Sequence, residues 1–89
     1  MKGKRVIWKY TFGVTDKFTI IMPFGTKILY VDTQRDVPCM WVEVKLSQIA
    51  TERKFKLFGT GHEVDGELTY LGSFQLRNGD LVFHLYEEV

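Results

Sequence analysis

The chain has 89 residues, a length that gives one domain whose folding buries roughly two-thirds of the surface of its unfolded chain. Twelve Lys and Arg against eleven Asp and Glu leave a net charge of +1, so the broad basic field that steers duplex nucleic-acid binders is missing. Cys39 is the only cysteine, which excludes an internal disulfide framework and a thiolate zinc cluster and fits a reducing cytosol.

No apolar run approaches the roughly 18 residues of a membrane span. The basic start at Lys2–Arg5 leads into Val6-Ile7-Trp8-Lys9-Tyr10 rather than an uninterrupted signal core. A protein with no membrane partner, retained in the cytoplasm, is expected.

In chain order, runs rich in β-branched and aromatic residues predict strands at Arg5–Phe12, Lys17–Met22, Lys27–Thr33, Pro38–Val44, Arg53–Phe58, Leu68–Leu76 and Leu81–Tyr86. Pro23-Phe24-Gly25 reads as a turn, and Ser47–Glu52 as a short helical turn. The expected fold is all-β, a small antiparallel sandwich or partly open barrel of about seven strands.

The hairpins can be registered. A four- or two-residue loop around Arg35-Asp36 puts Thr33 opposite Pro38, Tyr30 opposite Trp41, and Leu29 and Val31 opposite Val42 and Met40 as core. A type I′ loop at Asn78-Gly79 sets Leu76 against Leu81, Phe74 against Phe83 and Ser73 against His84. One face of this second hairpin is then Gly72, Phe74, Leu76, Leu81, Phe83 and Leu85, which must point inward. The other, with Leu71, Ser73, Gln75, Val82, His84 and Tyr86, mixes polar and apolar groups and suggests a binding or subunit surface.

Each candidate constellation has a plain structural counterpart. Gly59-Thr60-Gly61-His62 offers successive backbone amides to an anion, or simply connects two strands. His62 and His84 suit general acid–base work in a phosphodiesterase, or hydrogen bonding at a surface. No repeated histidine motif supports a metal. Trp8, Tyr10, Tyr30 and Trp41 suit base stacking as well as core or interface packing. Alternation sets Lys54 and Lys56 beside Phe58 on one face, where they neutralise a diester or guard a solvated edge, and Arg53 beside Phe55 and Leu57 on the other.

The runs Thr19–Gly25, Lys27–Gln34 and Cys39-Met40-Trp41, continued by Glu52–Phe55, Phe58–His62 and Tyr70–Leu76 up to His84, cover most of the chain beyond Tyr10. Their combination resembles a widespread group of short phage and bacterial proteins, and with it the phage anti-CBASS sponges that sequester a cyclic dinucleotide immune signal. The resemblance implies a homo-oligomer in the host cytoplasm that binds without turnover, with no catalytic residue, metal or cofactor. The candidates for binding such a ligand, chosen by face and side-chain type, are Tyr30 and Trp41 for stacking, Lys54 for charge, Gly59, Thr60 and Gly61 for amide donors, and His62, Gln75 and His84 for base or phosphate edges. The alternative is a phage protein that inhibits a host protein through an aromatic and polar sheet face.

Overall fold

The computed structural model describes residues 3–89. Its strands are β1 (Arg5–Thr11), β2 (Lys17–Pro23), β3 (Lys27–Gln34), β4 (Val37–Lys45), β5 (Ala50–Gly59), β6 (Leu68–Leu76) and β7 (Leu81–Glu88). They form a three-stranded sheet in the order β1-β4-β3 and a four-stranded sheet in the order β2-β5-β7-β6. All pairings are antiparallel, and the sheets face each other without closing into a barrel.

The period-two pattern explains which side is buried. On β4, Met40, Val42 and Val44 are fully buried and alternate with Trp41 and Glu43 on the outer surface. Phe55, Leu57, Phe74 and Leu85 answer them from the four-stranded sheet. Phe12, Phe18 and Phe55 stack in sequence at centroid distances of 4.8 and 5.3 Å, and Phe74 meets Phe12 edge-on. Each such fully buried side chain stabilises the fold by about 1.5–3 kcal/mol.

Arg53 lies on the core side of β5, as its alternation with Phe55 predicts. Its guanidinium donates to both Glu87 carboxylate oxygens, one at 2.8 Å, and to the backbone carbonyl of the buried Thr26. The β2–β3 turn, which passes from one sheet to the other, is thereby anchored to β5 and β7 of the four-stranded sheet, and the hydrogen bond to Glu87 raises the pKa of Arg53 against the opposing effect of burial.

The hairpin registers agree with expectation near both turns. Arg35 and Asp36 both take positive φ, as a two-residue type I′ loop requires, and Gln34 pairs with Val37. At the other hairpin, the Asp80 amide donates to the Arg77 carbonyl around Asn78 and Gly79, both at positive φ.

Further from the turns, each hairpin departs from simple alternation by one residue. Val42 pairs with Ile28 rather than Leu29, and Leu29 is extruded in a bulge between Ile28 and Tyr30. Likewise Tyr86 pairs with Tyr70 rather than Leu71, and Leu71 is the extra residue before Gly72. A bulge reverses the facing of everything beyond it, so Tyr70 joins the outer surface with Tyr86. Leu71 instead packs against the core.

The helical turn expected at Ser47–Glu52 is also corrected. The chain turns at Leu46–Gln48, where the Gln48 amide donates to the Lys45 carbonyl, and β5 is already extended from Ala50. Ladder pairing with β2 through Met22 and Thr51 overrides the local preference of this segment.

Candidate functional site

β3 and β6 are the edges of the two different sheets, and they approach each other. At Gly72 the approach is so close that an added Cβ would stand 2.9 Å from Cβ of Val31. Over this seam runs a groove of about 640 Å³. The extruded Leu29 and Leu71, with Val82, make its apolar part, and Tyr30, Asp32, Asp36, Ser73, Gln75 and Asn78 its polar part. The fold thus joins Tyr30 and Gln75, from the expected ligand set, across two sheets.

Among the described residues, no Lys or Arg lines this groove. Asp32 accepts from the Tyr30 hydroxyl at 3.1 Å and from the Thr33 amide at 2.8 Å. That hydrogen bond, followed by the charge of Asp32, raises the pKa of the exposed Tyr30 phenol, since losing its proton would place two anions side by side.

Tyr30 also belongs to the outer surface of the three-stranded sheet. There it pairs across strands with Trp41, ring centroids 5.9 Å apart and tilted by 41°. Lys9 is the partner of Trp41 on the other side, and its ammonium donates to Gln34 Oε1. Arg5, Lys27 and Lys45 share this face through their pairings with Lys45, Glu43 and Arg5, respectively, and Arg5 is bridged to Glu43 at 3.2 Å. Trp8 and Tyr10 are absent from this surface, because β1 turns them to the core side, where they meet edge-on.

The outer surface of the four-stranded sheet carries the remaining expected residues. Here His84 Nδ1 lies 2.7 Å from Ser73 Oγ and Nε2 lies 2.8 Å from Thr60 Oγ1, while Ser73 Oγ meets the Tyr70 hydroxyl at 2.6 Å. Phe58, Tyr86 and Tyr70 pack edge-to-face beside this chain. His84 has a hydroxyl partner on each ring nitrogen. The network fixes side-chain positions, and His62 contributes nothing to it. Lys54 lies two outward positions, about 13 Å, from Phe58, the cross-strand partner of His84. It is not brought to the histidine.

Gly59–His62 is a β-turn, closed by the His62 amide on the Gly59 carbonyl, with Gly61 at φ 94°. The Gly59 amide donates to His62 Nδ1 at 3.2 Å and the Thr60 amide to the Val82 carbonyl. Two of the amides expected to cradle an anion, those of Gly59 and Thr60, are thus occupied within the protein. Tyr70, Phe58 and Ser73 were not in the expected set. Ser73 and Phe58 follow from alternation, whereas Tyr70 required knowledge of the bulge.

Among the described residues, no cluster of His, Cys, Asp and Glu is suited to hold a metal ion, and no helix is long and apolar enough to cross a membrane. Comparison with curated proteins and with solved structures finds no match. A family model described as a domain of unknown function, DUF7352, matches residues 3–89, and the chain belongs to that family.

Proposed function

We propose that the protein is a non-catalytic binder that sequesters a cyclic dinucleotide, acting as a phage immune-evasion sponge in the host cytoplasm and assembling into a homo-oligomer. The observation that carries this reading is the outward-facing Tyr30–Trp41 pair, Tyr30 exposed and Trp41 half-buried, with Lys9 opposite Trp41 and Lys27 opposite Glu43, the next outward residue of β4. An aromatic platform stabilises a stacked base by about 1–3 kcal/mol, and neighbouring ammonium groups meet its phosphates. The cations sit on this face rather than at the glycine turn, which shifts the expected phosphate position away from Gly59–Gly61.

The test is a thermal-shift panel of cyclic di- and trinucleotides on purified protein, with recovery of the nucleotide after heating. One cyclic dinucleotide at a hundredfold excess over Kd should stabilise by about 2.7 kcal/mol and return intact. Trp41→Ala should abolish the effect. A cleaved product would support an enzyme instead, and silence across the panel would remove the nucleotide reading.

A second reading, inhibition of a host protein, is favoured by the Phe58–Tyr86–Tyr70 cluster on the opposite surface. Surface aromatics of this kind act as interface anchors when a partner covers them. Stoichiometric capture of one host protein that is lost on Tyr70→Ala would support it.

A further inference from the structure

The seam groove is an unfavourable place for phosphate, since its only ionisable groups other than Tyr30 are Asp32 and Asp36. Its lining of apolar side chains, one tyrosine ring and carboxylates suits a planar ring with adjacent N–H donors. Leu29, Leu71 and Val82 form an apolar floor, and Tyr30, 59% exposed, presents its ring beside it. Both Asp32 oxygens are engaged by Tyr30 and Thr33. Asp36 differs. Its Oδ1 accepts the Arg77 amide at 3.1 Å, which ties the carboxylate to the β6–β7 turn, and Oδ2 has no partner among the described residues.

We propose that this groove is a base pocket selective for guanine, with the ring against Tyr30 and the leucine floor and N1–H and the N2 amino group donating to Asp36. The inference rests on the nucleotide reading above and seats one base of that ligand in the groove adjoining the Tyr30–Trp41 platform, with Tyr30 common to both. An ionised carboxylate only accepts hydrogen bonds. Guanine offers it a pair of donors, whereas adenine sets the N1 lone pair beside its amino group. Placing the base over the seam leaves the phosphates on the adjoining surface, where a depression lined by Lys9, Gln34 and Arg35 begins at Cys39, the cross-strand partner of Asp32.

The test uses nucleosides, which carry no phosphate. In amide NMR titrations, guanosine should shift the signals of Asp36, Leu71 and Asn78, and 1-methylguanosine and adenosine should bind at least about tenfold more weakly. Asp36 has φ 64°, a conformation that Asn adopts readily, so Asp36→Asn should fold normally and lose the preference. Equal binding of guanosine and adenosine, a preference unchanged in Asp36→Asn, or no shift with guanosine would each overturn the pocket. Guanosine binding with no response to any cyclic dinucleotide would leave the base pocket standing and remove the sponge reading. A Trp41-dependent cyclic dinucleotide that shows no preference for guanine would do the reverse.

Discussion

Tyr30 sits where the two surfaces of interest meet, stacked toward Trp41 and hydrogen-bonded to Asp32. Because Asp32 holds the phenol above its ordinary pKa of about 10, the folded state keeps that proton over a pH range in which the unfolded chain has lost it. The linked stability is therefore present below pH 10 and is lost as pH rises through the folded pKa. Spectrophotometric titration of tyrosine should show one phenol moving down toward 10 in Asp32→Asn, and an unchanged curve would contradict the hydrogen bond as the cause. Of the expected ligand set, Tyr30 and Trp41 were legible as a pair because they lie close to a tight turn, where register is fixed by the φ demands of Arg35 and Asp36. Lys54, His62 and the glycine turn were grouped with them by chemical type alone. Chain separation along β5 and local amide pairing keep them apart.

Between elements, the decisive contact is the close approach of β3 and β6 at Val31 and Gly72. Gly72→Ala should destabilise by about 1–3 kcal/mol in denaturant unfolding, since the new methyl collides with a β-branched side chain fixed in the core. Val31→Ala in the same chain should recover part of the loss, and simple additivity of the two changes would argue against the contact. The sequence pattern identified every strand and both inner faces near the turns, because alternation and turn chemistry are local signals. It could not reveal the bulges at Leu29 and Leu71, whose side chains are as apolar as the core residues they displace from register. Simple alternation would turn Tyr70 inward with Gly72, so the Tyr70–Ser73–His84–Thr60 chain is visible only in three dimensions.

The molecule as a whole is thin and long, with extents of 47 × 31 × 15 Å and a radius of gyration of 13.7 Å. A compact chain of this length would have about 12 Å. Ile7, Trp8, Ile21, Phe24 and Ile49 remain exposed on this elongated body. If the protein assembles with copies of itself, as proposed, small-angle scattering at micromolar concentration should give a radius well above 13.7 Å that falls on dilution. A monomer value independent of concentration would refute assembly.

The bulges at Leu29 and Leu71 have a meaning beyond geometry. A ladder dictates the residues it pairs, through the neighbour opposite and the face to which each belongs, so most positions in such a small sheet are constrained from both sides. Leu29 and Leu71 have no residue opposite, and both border the groove. Leu29 is exposed as well as unpaired, so its size and polarity can drift while the sheets stay intact, whereas Leu71 also packs against the core; Leu29 is therefore the place where related chains can retune what the groove accepts without rebuilding the fold around it.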